Sequence, residues 1–140
     1  MNLLFRRLDR CSVFLTAVIV FILDQASKFL VLAFFSDIVV FNEGAAFGLF
    51  QGFRWMFLGL GAVLLFFLWK AVDRYPYGET GLLLGGIAGN MLDRLVFGRV
   101  TDFITLGWWP SFNLADAASS CGVALLLLRF CLRRREFVQR

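Results

Sequence analysis

Six polar side chains lie where this chain is otherwise greasy enough for a lipid bilayer. The stretch GGIAGNMLDRLVFGRVTDF (85–103) and the segment FNLAD (112–116) carry Asn90, Asp93, Arg94, Asp102, Asn113 and Asp116. A carboxylate in such surroundings costs on the order of 3 kcal/mol by insertion scales, so it usually marks function. The chain has no histidine, which leaves any acid–base chemistry to the acids themselves. Asp102 and Asp116 form the strongest candidate pair. They are 14 positions apart, with Gly107 and Pro110 between them to reverse the chain and bring its ends together. Two carboxyls in contact in a partly dry site cannot both ionise easily, so they share a proton. One can take a proton from water while the other protonates or polarises a scissile carbonyl, and the dyad titrates as a unit. If Asn113 caps the following helix, Asp116 is its third residue, beside free N–H groups and the positive end of the dipole, and is the more readily ionised acid. A plainer alternative makes Asp116 a first-turn helix acid and Asp102 a solvated loop residue.

The other polar residues also admit two readings. Asp93 and Arg94 suit a structural ion pair or hydrogen-bond anchors, with Arg94 bracing the 97–111 connection. Asn90, one helical turn earlier, is within reach of either. Asp24 and Lys28 stand at i and i+4, on one helical face, and can neutralise each other. An ion pair at that depth is costly unless something polar meets it, so its expected role is to brace a polar cluster or a substrate backbone. In FNEGAAFG (41–48), Gly44 and Gly48 permit unusual backbone angles, and Ala45 and Ala46 leave room for a chain alongside. Asn42 offers a donor and an acceptor to an extended peptide. A plain Asn-Gly loop is the alternative there.

The elements that must position these groups are set by composition. Of 140 residues 60% are hydrophobic, 18 are Phe, and the mean hydropathy is +0.78. Long apolar runs separated by charges indicate an all-α integral membrane protein forming a single domain over 1–140. Four spans of about 20 residues each are predicted, at 12–35, 53–72, 79–96 and 112–132. The second has Trp55 and Trp69 near its ends, as membrane interfaces favour. The third is rich in glycine, with Gly85 and Gly89 on one face, and should pack centrally. Arg6, Arg7 and Arg10 precede the first span, Lys70 and Arg74 follow the second, and Arg129, Arg133, Arg134, Arg135 and Arg140 lie at the tail. The 36–52 connection has no Lys or Arg. Both termini are therefore expected in the cytoplasm, with the 36–52 and 97–111 connections outside. This topology brings Asp93, Asp102 and Asp116 to one outer face. Arg6, Arg7 and Arg10 before an apolar run resemble a signal peptide, but no small-residue cleavage site follows, so the run reads as a retained helix. DRYPYGE (73–79) is a turn marked by Pro76 and Gly78. Cys11, Cys121 and Cys131 lack metal-site spacing and read as apolar fillers or interface thiols. The clustering of arginines at span ends argues against a nucleic-acid partner.

Taken in order, DQASK (24–28), FNEGAAFG (41–48), GGIAGNMLDRLVFGRVTDF (85–103) and FNLADAA (112–118) resemble lipoprotein signal peptidase, or signal peptidase II, a family of bacterial inner-membrane aspartic peptidases. The resemblance implies four membrane helices, a small extracytoplasmic β-element and a short external helix or loop over the active site. It implies cleavage of a prolipoprotein just before a diacylglyceryl-bearing cysteine, in contact with membrane lipids, without metal or organic cofactor. Carried over by position, the catalytic aspartates are Asp102 and Asp116. The supporting positions are Asp24, Lys28, Asn42, Gly44, Ala46, Asn90, Asp93, Arg94, Asn113 and Ala115. The 28–42 connection is shorter than the family pattern, so a reduced external β-element is expected; the 102–113 connection is also compressed, and Thr101 stands where the family has a hydrophobic residue. A monomer is expected. Two other functions compete: a non-catalytic binder of lipidated peptides on the same fold, and a small proton-linked transporter. The transporter is disfavoured because its acids should spread along a path, whereas these gather at one face.

Overall fold

The computed structural model describes residues 3–44, 49–73, 75 and 78–138, and side chains from residue 10 to residue 132 within them. Ala45, Ala46 and Gly48 of the glycine-rich loop lie outside the described residues, as do Arg74 and Pro76 of the turn and Arg140 of the tail. Four helices dominate: α1 (Leu3–Phe34), α2 (Arg54–Ala71), α3 (Gly78–Phe97) and α4 (Leu114–Val138). A 3-10 turn (Ser36–Ile38) and strand β1 (Val40–Asn42) follow α1. Strands β2 (Val100–Asp102), β3 (Ile104–Leu106) and β4 (Trp109–Phe112) fill the α3–α4 connection. The four predicted spans thus correspond to four helices. α1 begins earlier than expected because no Gly or Pro interrupts residues 3–12.

Among the described residues three helical stretches are long and apolar enough to cross a membrane: Arg10–Phe34, Arg54–Ala71 and Leu114–Leu132. Their outward faces carry Leu, Phe and Val, the side chains a hydrocarbon solvent accepts. α3 differs because it is wrapped by the others. It packs against α1, α2 and α4, so its surface is set by neighbouring helices. Glycine makes those approaches possible. A Cβ on Gly81 or Gly85 would come within 2.5 Å of a backbone carbonyl of α1, that of Val13 or Ala17. One on Gly86 would strike the Ala115 carbonyl of α4, and one on Gly61 would lie 2.6 Å from Met91 Sδ. The small-residue face expected on this helix is therefore its contact with α1, Gly81 included.

The β-element consists of two antiparallel pairs, β1 with β2 and β3 with β4. Val40 faces Asp102 and Asn42 faces Val100 in the first pair; Ile104 faces Phe112 in the second. Gly107, with φ of +55°, begins the two-residue β3–β4 turn, where tight hairpins require a left-handed residue. Pro110 was expected in the reversal but lies within β4. Hairpin pairing, rather than a proline bend, returns the chain toward Asp102. At the other end of the bundle Arg129 Nη2 meets Glu79 at 2.7 Å, and Arg10 pairs with Asp73.

Candidate active site

Asn113 organises the strand end of the bundle. It is the residue before α4, and its Oδ1 accepts the Asp116 N–H at 2.9 Å, while Asp116 Oδ2 accepts the Asn113 N–H at 3.3 Å. This is a reciprocal capping box with aspartate as the third helical residue. The predicted cap is therefore present, and the cap holds the Asp116 carboxylate against the helix start. The Asn113 amide turns the other way and donates to Asp102 Oδ1 at 2.7 Å and to Asn90 Oδ1 at 3.1 Å. Asp102 reaches it because Phe103 N–H bonds the Phe112 carbonyl at 3.1 Å, which places the residues flanking the hairpin side by side. Both acids converge on one buried side chain.

Each carboxyl oxygen of the pair has a donor. Asn42 Nδ2 donates to Asp102 Oδ2 at 3.0 Å, across the diagonal of the β1–β2 pair. Asn90 Nδ2 donates to Asp116 Oδ1 at 2.7 Å. A carboxylate oxygen accepts two hydrogen bonds, so every one of these oxygens keeps an acceptor site for a further group. Burial pushes the Asp102 carboxyl up to about 6, against the pull of the Asn42 amide, and the charge of Asp116 raises it further. That coupling is what two acids sharing a proton require. Asp102 is buried on strand β2, so the solvated-loop alternative is set aside.

Beneath the pair lies a second polar layer. Lys28 gives its three N–H groups to Asp24 Oδ2 at 2.7 Å, Asp93 Oδ2 at 3.1 Å and Asn90 Oδ1 at 3.1 Å. The ammonium is thereby fully satisfied, as burial demands. Asp24 is completely buried; its Oδ1 accepts the Ala115 N–H, an otherwise unpartnered donor of the first turn of α4, at 2.9 Å. Gly89 is required here, because a Cβ would sit 2.6 Å from Asp24 Oδ2.

Two expectations about the neighbouring residues change. Arg94 was expected to pair with Asp93 or to brace the 97–111 connection; instead Nη2 donates to the Gly44 carbonyl at 2.9 Å and the guanidinium covers the Phe57 ring at 4.8 Å. It braces the other connection. Asp93 holds 97–111 through the Thr101 N–H at 3.0 Å. Adjacent helical residues point about 100° apart, so one residue serves each loop. Asn90 bonds Asp116 rather than either of these neighbours. Asn42 Oδ1 takes the Gly44 N–H at 3.0 Å, closing the loop start into a tight turn. Gln25 was not anticipated. Its amide lies 3.1 Å from both Asp24 Oδ2 and Asp93 Oδ1. Consecutive helical positions rarely share a face, so only its place inside DQASK pointed to it.

Residues 16–132 match the family model described as signal peptidase (SPase) II. A lipoprotein signal peptidase of Syntrophomonas wolfei is 42% identical, over 79% of this chain and 86% of that protein. One from Symbiobacterium thermophilum is 36% identical, over 86% and 94%. A solved bacterial membrane enzyme superposes with a TM-score of 0.77 at 26% identity, covering 85% of this chain and 87% of its own. With residues 16–132 matched by that model and relatives 36–42% identical over most of their length, this chain belongs to the signal peptidase II family.

Proposed function

We propose that this chain, folded as one domain over residues 1–140, is an aspartic endopeptidase that removes signal peptides from prolipoproteins, cutting just before a lipid-bearing cysteine. The observation that carries the reading is Asn113, whose side chain touches Asp102 and caps the helix turn that bears Asp116. In this mechanism Asp116, against the N–H groups of α4, is the charged partner and takes a proton from water. Asp102, whose carboxyl sits high, holds the shared proton and gives it to the scissile carbonyl oxygen. The water oxygen bonds to the carbonyl carbon; the C–N bond then breaks as Asp116 passes the proton it took from water to the leaving nitrogen, and a diol hydroxyl returns a proton to Asp102 as the new carboxyl forms. Asp24, Lys28, Asn90, Asp93 and Gln25 hold the start of α4 and the strands in place. Arg94 and Asn42 shape the loop bearing Gly44, beside which the peptide lies.

In this reading all four helices span a bacterial inner membrane, both termini are cytoplasmic, and the strand end faces outward, so a monomer meets its substrate at the outer leaflet. A proton path is not supported. Between Glu79 at one end and Asn90 at the other, α3 presents only Thr80, glycine, alanine and aliphatic residues. The test is cleavage of a diacylated precursor beside the same precursor without lipid. Asp102→Asn and Asp116→Asn are each expected to reduce cleavage by about a thousandfold or more while the protein still accumulates in the membrane. Full cleavage by both variants removes the dyad, and retention of precursor without turnover by the unaltered chain makes it a binder.

A further inference from the structure

Strand β1 has one neighbour, β2, and the hydrogen bonds of β2 show which way the backbone of β1 faces. In an antiparallel pair the N–H and C=O of successive residues point alternately toward the partner strand and away from it. The Thr101 N–H goes to Asp93 Oδ2 at 3.0 Å, and two residues on the Phe103 N–H goes to the Phe112 carbonyl. Both amides therefore point away from β1, and those of Val100 and Asp102 point toward it. Since Val40 faces Asp102 and Asn42 faces Val100, these are the hydrogen-bonded pairs. Phe41, which faces Thr101, turns its N–H and C=O to the open side. The Val39 N–H on that side is taken by the Ser36 carbonyl at 3.1 Å. Among the described residues the Phe41 N–H and the carbonyls of Phe41 and Val39 have no hydrogen-bond partner.

Exposed edges are usually blunted by lysine, proline or a bulge. This one is not: β1 is Val-Phe-Asn, and its register with β2 is unbroken. The Arg99 guanidinium lies 3.5 Å over the Phe41 ring, which fixes the strand without using its backbone groups. The edge is also continuous with the candidate active site. Asn42, the next residue, donates to Asp102 Oδ2 and accepts the Gly44 N–H. Strands lie about 4.8 Å apart, so a third strand beside β1 would be roughly 10 Å from β2, a gap that about three extended residues span. A chain cut at Asp102 and Asp116 therefore reaches this edge with residues a short way along from the scissile bond. Its apolar signal segment stays in the hydrocarbon, whereas the chain beyond the lipid-bearing cysteine leads out of the membrane, toward the strands.

We propose that the open edge of β1 takes the precursor's chain just downstream of the lipid-bearing cysteine as a third strand, held by main-chain hydrogen bonds to Phe41 and Val39. This rests on the reading of the chain as a peptidase of lipid-bearing precursors. Such pairing reads extension rather than sequence, so it accepts precursors whose downstream residues differ. The first test uses the unaltered protein and diacylated precursors methylated at one backbone nitrogen at a time after the cysteine. Because each hydrogen bond is worth about five- to tenfold, kcat/KM should fall by that factor or more at two nitrogens that are two residues apart. Methylation of the nitrogen between them should be tolerated. A uniform loss, or none, overturns the proposal. A second test compares Phe41→Pro, which deletes the outward N–H and spares the β1–β2 ladder, with Phe41→Ala, which keeps it. On a precursor with the downstream segment, kcat/KM for Phe41→Pro should be about five- to tenfold lower; on one truncated after the cysteine the two should cut equally. Equal cutting of the longer precursor overturns the proposal. A proline variant that cuts neither precursor has not folded, and the methylation profile decides. Failure of the unaltered chain to cut any diacylated precursor ends the peptidase reading and the third strand with it. Normal cleavage with a flat methylation profile removes the third strand alone.

Discussion

Asp102 and Asp116 meet through a common neighbour, and the cost of that arrangement falls mainly on Asp102. Its carboxyl is buried and pushed up to about 6 from an ordinary 3.8, first by burial. A raised acid binds its proton more tightly in the folded protein than in the unfolded chain. The stability it contributes is therefore fully present below about pH 3.8 and is lost as the pH rises through about 6. The shift corresponds to about 3 kcal/mol at most. Asparagine has the shape of the protonated acid and does not titrate. The melting temperature of Asp102→Asn in detergent should thus gain on that of the unaltered protein as the pH rises from 4 to 7, while activity is lost. A gap that stays constant or narrows over that range contradicts the burial argument. At this scale the sequence was informative where residue type alone dictates chemistry: the two acids, the Asn113 cap and the Asp24–Lys28 pair are where spacing placed them. It misled where direction matters. Arg94 turned to Gly44 and Asp93 to Thr101 because neighbouring helical side chains diverge, and a string of letters does not say which loop lies on which side.

The helices position these groups by coming unusually close, and α3 is the element that permits it. Gly86 lies against the Ala115 carbonyl and Ser119 of α4, and Gly89 against the Asp24 carboxylate of α1. Backbone and a buried carboxylate cannot step aside as a flexible side chain would, so an added Cβ must push whole helices apart. Gly86→Ala and Gly89→Ala are each expected to destabilise the protein by about 1–3 kcal/mol. The two should separate in activity: Gly89→Ala displaces Asp24 from the Ala115 N–H and slows cleavage more than its loss of stability explains. Gly59→Ala is the control, because nothing lies within 4 Å of a Cβ there. Equal effects from all three would refute close packing as the reason for these glycines. The central place of α3 was legible from its glycine content. The strands were legible only in outline, since each has three or four residues, too few for a period-two pattern to stand out. Pro110 within β4 shows the limit: read locally, proline signals a turn, but cross-strand pairing decided otherwise.

For the whole molecule the open quantity is orientation, which the charge distribution predicts and the fold makes testable. The strand end gathers Asp93, Asp102 and Asp116, whereas the opposite end carries Arg10 and Arg129 in contact with Asp73 and Glu79. Under the positive-inside rule the strand end faces outward. Cys11, Cys121 and Cys131 are exposed on the helices, so of the two roles expected from sequence, apolar filler and interface thiol, the first is set aside. Cys11 and Cys131 lie toward the arginine end, and Cys121 is two turns into α4, within the stretch apolar enough to cross a membrane. Trp108, 83% exposed at the tip of the β3–β4 hairpin, marks the opposite side. A membrane-impermeant maleimide added to intact spheroplasts should therefore leave the unaltered chain unlabelled and label Trp108→Cys. Permeabilising the membrane should then expose Cys11 and Cys131. Labelling of the unaltered chain from outside, with the hairpin variant protected, would invert the topology and put the two aspartates on the cytoplasmic side. A lipoprotein precursor exported to the outer leaflet could not reach them there, so this measurement bears on where the chemistry takes place as well as on how the chain is threaded.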